Sequence, residues 1–360
     1  VNFVVHYSKI LDDTIKNIIP INRERMKNKE KELNSLLKTP KGLGKLENLA
    51  IQLEGIKENY RPEKKIVTVM AADNGVEREK VSKSKRVITQ YVVEAMLQGK
   101  SSINALGNVF NADVEVIDLG IDRTTDTENI INLAGIIDRK LMHTGTHNIA
   151  ERAAMSYDTA IKAIETGIEI VDIFVQKGYN LFATGEMGIG NTTTSSAMLK
   201  VFTDLPLDDI VGYGSGIDDK TLKHKKNIIE KAININSEKE NINSADPIDV
   251  LAKVGGLDIA GMTGVYLGCA KNCIPVVIDG FISSVAALCA YKLCKNSKDY
   301  MIPSHLSEEQ GMKYIMKELK MEPLLFMDMK LGEGTGAVMM FPVIEAACNI
   351  TGTVRKYPQV

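Results

Sequence analysis

The sequence predicts an α/β protein built on a parallel sheet covered on both faces by helices, with a helical segment ahead of it. Two observations carry this. From residue 65 onward, short apolar, β-branched runs alternate with longer helical patterns, the sequence form of successive β-α-β units. Several of those runs end in polar or glycine-rich text, which is where open parallel sheets bind ligands, beyond the carboxyl ends of their strands.

Residues 7–60 place Leu33, Leu36 and Leu37, then Leu46, Leu49, Ile51 and Leu53, at helical spacing among lysines and glutamates. Pro40, Gly42 and Gly44 break the period before a new helix starts near Lys45. The expected strands are 66–72, 114–119, 181–184, 276–279 and 324–329. They run into Asp73-Asn74-Gly75, Asp118-Leu119-Gly120, Gly185-Glu186-Met187, Asp279-Gly280 and the string from Lys330 to Gly336. Residues 148–177 read as one or two helices with an outer face of acids and lysines, and 234–246, rich in Asn, Ser, Glu and Lys, as a solvated loop.

With 360 residues, 44% hydrophobic and 25% charged, the chain is long enough for one large domain and a smaller one. A formal charge of −2 offers no field to recruit nucleic acid or an anionic membrane, so a small ligand held by a local site is expected. The five cysteines (269, 273, 289, 294 and 348) form no CxxC pair and sit in or beside apolar stretches, which reads as reduced thiols and a cytosolic protein. We expect no leader in the first 20 residues, and no apolar run nears the length of about 18 that spans a bilayer.

The centre of the chemistry is expected at Gly185 to Ala197, where an apolar run opens through glycines into a Ser/Thr-rich helix. Glycines admit close backbone approach, and Asn191, Thr192 and Thr193 add donors at a helix N-terminus that favours an anion. Gly185 and Gly190 have P-loop spacing, but Asn191 stands where the phosphate-binding lysine belongs; Gly188 and Gly190 begin a dinucleotide fingerprint that Thr193 breaks. A capped turn without a ligand is the bland alternative. Glu333, between Gly332 and Gly334, is the best catalytic candidate: a carboxylate short of solvating neighbours acquires a raised pKa suited to a general base, the alternative being a Glu that caps the next helix. Glu186 would repel a phosphate and is read as a partner for sugar hydroxyls or an acceptor N–H. Lys225, after the string Gly212 to Asp219, either neutralises a phosphate or is one surface lysine among several. His143 and His147 read as loop residues, and Ser307 with Gln310 as a capping box. Asp73 and Asp279 lack the paired spacing of a metal site.

These strings, together with Gly42 to Glu47, Val81-Ser82, Asp246 to Leu251, Gly255-Gly256 and His305 to Gly311, resemble the nicotinate-nucleotide:dimethylbenzimidazole phosphoribosyltransferases of cobamide lower-ligand synthesis along nearly the whole chain. The resemblance implies transfer of phosphoribosyl from nicotinate mononucleotide to an aromatic base, giving an α-linked nucleotide and nicotinate. It implies Glu333 as general base, with a pocket from Glu186, Gly188, Gly190, Asn191, Thr192, Thr193, Gly214, Ser215, Gly216, Lys225, Ser82, Gln90 and Gly334. No metal or cofactor is implied. The implied fold is a Rossmann-like large domain (61–337) with a small helical domain (1–60, joined by about 338–360), in a dimer.

Asn74 stands where such enzymes carry His, and Ser84-Lys85 where they carry a Tyr-Pro pair. Two acceptor readings therefore stay open: a benzimidazole used by a homodimer, or phenol or p-cresol used by a heterodimer with a paralogue. A non-catalytic partner subunit is the third alternative, opposed by retention of Glu333, Glu186, Lys225 and the Gly188–Thr193 loop.

Overall fold

The computed structural model describes residues 8–124, 131–214 and 216–358. Three helices come first: α1 (Lys9–Asn17), α2 (Arg23–Asn34) and α3 (Lys45–Ile56). Ser8 and Asn22 cap the first two by accepting backbone N–H groups through their side-chain oxygens, and Gly44, at φ +53°, turns the chain into the third. There follow β1 (Lys64–Ala72), α4 (Ile88–Leu97), α5 (Ser102–Phe110), β2 (Ala112–Gly120), β3 (Ile137–Asp138), α6 (Tyr157–Gln176) and β4 (Tyr179–Met187). Next come α7 (Asn191–Thr203), α8 (Leu207–Ile210), α9 (Asp219–Glu240), α10 (Pro247–Val254), α11 (Leu257–Lys271), β5 (Val276–Ile278) and α12 (Phe281–Leu293). The chain closes through β6 (Met301–Pro303), α13 (Met312–Leu319), α14 (Thr335–Val338) and α15 (Phe341–Thr353).

The six strands pair in parallel in the order β3-β2-β1-β4-β5-β6. The chain builds outward from β1 to one edge, returns, and builds outward from β4 to the other. The switch point therefore lies between β1 and β4, where Met70 pairs with Glu186 and Ala71 with Met187. This order is that of a Rossmann-like sheet, as expected.

Strand alternation sends Ile66, Met70, Ile117, Phe182 and Val276 into one core, and Val67, Val69, Val116, Leu181 and Val277 into the other. In the first core α6 and α11 meet at van der Waals distance of their backbones. A methyl group at Gly264 would strike the Ile164 carbonyl, and one at Gly167 the Gly261 carbonyl, so both positions need glycine for the close approach. The second core continues through α3 and α15, which pack on each other and on α2. Residues 35–37 and 355–357 exchange backbone bonds, tying the last turn of the structure to α2.

Several expectations need correction. Residues 324–329 are not a strand; Leu325 makes only a bridge to His305, while Phe326 and Met327 are exposed. The missing edge is β6, three residues long and ending in Pro303, which an edge strand tolerates. The 234–246 loop is half helix, since α9 continues to Glu240 and stops at Asn241 in the left-handed region, φ +52°. Within 148–177 the helix begins only at Tyr157, capped by Ser156. The Ser307–Gln310 capping box is absent: α13 starts at Met312, and Ser307 Oγ instead accepts the Glu309 N–H. Finally α1, expected with the small helical domain, packs on α6 and α11 and sends Leu11 into the first core.

Candidate active site

A cleft of about 210 Å³ opens beyond the carboxyl ends of β4, β5 and β6. Its walls are the segment from Glu186 at the end of β4 to Thr192 in the first turn of α7, the start of α12, residues His305, Ser307 and Glu309 after β6, and the segment 330–333, with Ser82 and Gly214 at its borders. Four stretches far apart in sequence thus meet, as the strand topology requires.

β4 runs through Met187, so Glu186 is a strand residue and not part of the glycine-rich turn in which the sequence placed it. Gly188 packs so closely on the Ala72 carbonyl that a methyl group there would overlap it. Gly190, at φ +98°, caps α7. Thr192 borders the cleft, whereas Thr193 is buried outside it with its hydroxyl oxygen unpartnered. Asn191 borders the cleft, yet its carboxamide nitrogen donates to Glu186 Oε2 and, at 3.0 Å, to Asp258 Oδ2. The amide is a bridge between two buried acids, rather than the simple ligand donor expected.

Those acids shape the electrostatics. Glu186 is pushed up to about 8, mainly by burial and then by Asp258, with Asn191 opposing; neutral pH favours its protonated form. Asp258, also fully buried, is pushed up to about 6, chiefly by burial. Asp258 was missed in the sequence because it sits in the otherwise apolar start of α11; the Gly255-Gly256 pair before it was the available signal.

Glu333 adopts φ +61°, a left-handed conformation costly for a residue with a Cβ. Asp279 holds it there: Oδ2 accepts the Gly334 N–H at 3.1 Å, and Oδ1 accepts those of Gly336 and Ala337 at 2.8 and 2.9 Å. Gly334 is thus a backbone anchor behind the cleft. Across from it, a methyl group at Gly185 would lie 2.5 Å from the Glu333 carbonyl oxygen, so the two glycine-rich strings lie against each other. The Glu333 carboxyl is buried, its Oε2 has no partner, and its pKa is raised by burial and secondarily by Asp279, against a backbone hydrogen bond from Ile103 at the start of α5. The direction is the expected one; Glu333 does not cap α14, whose N-cap is Gly334. His305, beside Asp279, is lowered chiefly by burial.

Lys225 is buried, contrary to the surface alternative. Its Nζ donates to Thr192 Oγ1 at 3.0 Å and to the Gly212 carbonyl at 3.3 Å, and burial pushes its pKa down to about 8 while Glu309 opposes that shift. Glu309, also missed, accepts the Gly214 N–H at 2.7 Å through Oε1 and keeps Oε2 buried without a partner.

Five of the described predicted positions are not on the cleft wall: Thr193, Lys225 and Gly334 stand behind it, and Gln90 and Gly216 lie away from it. Gln90 donates through Nε2 to the Asp122 carbonyl at 2.7 Å, and Gly216 is exposed with open space around it. Ser215 lies outside the described residues. Asn74, Ser84 and Lys85 do not border the cleft either. Among the described residues no group of three or more His, Cys, Asp or Glu side chains is disposed to hold a metal ion, and no helix is long and apolar enough to cross a membrane.

A family model described as phosphoribosyltransferase matches residues 18–359. A Clostridium tetani protein named nicotinate-nucleotide–dimethylbenzimidazole phosphoribosyltransferase is 44% identical over 341 residues, covering 94% of this chain and 91% of its own. A Ruminiclostridium cellulolyticum protein of the same name is 45% identical over 338 residues, covering 93% of each. The crystal structure of CobT from Thermus thermophilus superposes with a TM-score of 0.84 at 31% identity, covering 91% of this chain and 96% of that one.

Proposed function

The chain belongs to the phosphoribosyltransferase family that includes the nicotinate-nucleotide–dimethylbenzimidazole phosphoribosyltransferases, and from that premise we propose that it moves phosphoribosyl from nicotinate mononucleotide to dimethylbenzimidazole or a related aromatic base in assembly of the cobamide nucleotide loop. The observation that carries this reading is one cleft bordered both by Glu333, a buried carboxyl with an unpartnered oxygen, and by Thr192, whose hydroxyl is held by Lys225 at the start of α7.

The phosphate is assigned to the Thr192–Lys225 end, where a helix N-terminus and an ammonium favour an anion. Glu186, protonated at neutral pH, is assigned to the ribose as a hydrogen-bond donor. The acceptor nitrogen forms a bond to the anomeric carbon as the bond from that carbon to the nicotinate nitrogen breaks, and the pair of electrons leaves with nicotinate. The acceptor's N–H proton passes to Glu333, whose raised pKa makes it a stronger base than an exposed carboxylate. Since cationic nicotinate is a good leaving group, alignment of acceptor and anomeric carbon does most of the remaining work.

The homodimer and the reducing, cytosolic setting belong to the same proposal; the five free thiols suit the latter. Asn74 and Ser84-Lys85 lie off the cleft wall and give no reason to prefer a phenolic acceptor. The deciding experiment is nicotinate release from nicotinate mononucleotide by the purified chain, with dimethylbenzimidazole and with phenol in parallel. Release with dimethylbenzimidazole is the expected result; release with phenol alone would overturn the acceptor assignment, and release with neither would overturn the single-chain activity.

A further inference from the structure

The turn 212–214 is clamped from two sides by buried groups of opposite charge. From α9, Lys225 Nζ donates to the Gly212 carbonyl at 3.3 Å; from the segment after β6, Glu309 Oε1 accepts the Gly214 N–H at 2.7 Å. Glu309 also lies against Gly212, leaving no room for a side chain there. Its second oxygen is buried and unpartnered, and the residue borders the cleft at the end assigned to phosphate. A carboxylate beside a phosphate site is unfavourable unless it serves something else there.

We infer that Glu309 is a positioning residue that acts through Lys225: it fixes the 212–214 turn and keeps the Lys225 ammonium available to the substrate phosphate. An isolated ammonium taken out of water tends to lose its proton, and a nearby carboxylate opposes that loss. Glu309 is the charged group acting on Lys225, whose pKa burial has moved to about 8. Charges on the elements packed around α9 are matched elsewhere: Lys226 with Asp208, Lys200 with Asp204, Lys253 with Asp249, and Lys231 with Glu79. The His224 ring nitrogen lies 2.7 Å from the Glu79 carbonyl oxygen.

The inference rests on the proposed substrate, so its test carries a second probe. Wild type, Glu309→Gln and Glu309→Asp are compared from about pH 6 to pH 8.5, reading KM and kcat for nicotinate mononucleotide and the Kd of ribose 5-phosphate. The second ionisation of the phosphate, near pH 6, is common to all three and cancels in ratios. If Gln lowers the Lys225 pKa by about one unit, the KM ratio of Glu309→Gln to wild type rises from near one at pH 6 to several-fold at pH 8 and approaches tenfold above it. The Kd ratio for ribose 5-phosphate follows it, while the ratio for Glu309→Asp stays flat. A Glu309→Gln ratio that is constant across pH, whether one or larger, overturns the inference, since support of the turn alone would not depend on pH. If wild type does not turn over the nucleotide but the Kd ratio of Glu309→Gln to wild type for ribose 5-phosphate rises with pH as stated, the functional reading falls and the role of Glu309 stands; if neither ligand binds, both fall.

Discussion

The cleft between α2, α3 and the segment 298–324 has a volume of about 460 Å³ against about 210 Å³ for the candidate active site, yet none of its lining residues leaves a buried polar side-chain atom without a partner. Arg23 pairs with Asp299 and Lys45 with Glu322, each at 3.1 Å, while Gln52 donates to the Asp299 and Met301 carbonyls, each at 3.0 Å. In the active-site cleft Glu333 and Glu309 each keep a buried oxygen without a partner, and Glu186 lies beside Asp258 in the same low-dielectric region. A buried polar atom left unmet costs about 1–3 kcal/mol, so a fold that retains several in one place is holding them for a ligand. Volume would favour the second cleft; unmet hydrogen-bonding capacity singles out the first.

The sharpest way to break this contrast is Glu333→Gln, which keeps the shape and removes the proposed base. We expect kcat to fall by about 10²–10⁴-fold, the usual contribution of a general base, with binding of nicotinate mononucleotide retained; unchanged turnover in a rapid assay would remove Glu333 from the chemistry. Next in size is Asp279→Ala. It strips the acceptor from three buried backbone N–H groups, and a loss of about 3 kcal/mol or more in urea unfolding is expected, with activity lost as Glu333 drifts. Stability within experimental error of wild type would show that the loop holds itself.

A third prediction concerns pH. The pKa of Glu186 is raised in the folded state, from 4.5 to about 8, so the folded protein binds this proton more tightly than the unfolded chain does. The stability this provides is present at low pH and is lost as pH rises through the folded value, by about 1–2 kcal/mol between pH 6.5 and 8.5. Asp73, raised to about 7, acts in the same direction. Urea midpoints at the two pH values should therefore fall for wild type and fall less for Glu186→Gln; equal slopes would contradict the buried-acid account. The smallest effect belongs to the second cleft. Arg23→Ala breaks an ion pair whose arginine is 64% exposed, so it should change stability by no more than about 0.5 kcal/mol and leave kcat/KM within twofold.

The two clefts also differ in how far they could be read in advance. β1, β2, β4 and β5 were legible as β-branched runs, and Gly185 to Thr193 and Leu331 to Ala337 as glycine-rich text at strand ends. Edge strands of two and three residues carry too little periodicity to see, and the exposed Phe326 and Met327 imitated a buried run. Asp258, Asp279 and Glu309 act through contacts made only after distant segments meet. Beyond the Gly255-Gly256 pair, nothing local marks Asp258 as a partner of the Asn191–Glu186 bridge, and nothing local marks Glu309, in the loop beyond β6, as the clamp on Gly214.

The contact between Gly185 and the backbone of Glu333 bears on how such a protein could diversify. Because even a methyl group at Gly185 would displace the turn that carries Glu333, the two loops are inherited as one mechanical part. Drift in either would be filtered through the other. New acceptor preferences should therefore arise on walls that do not touch this joint, such as the one contributed by Ser82 and Val92, where a side chain can change size without moving the Glu333 carboxyl.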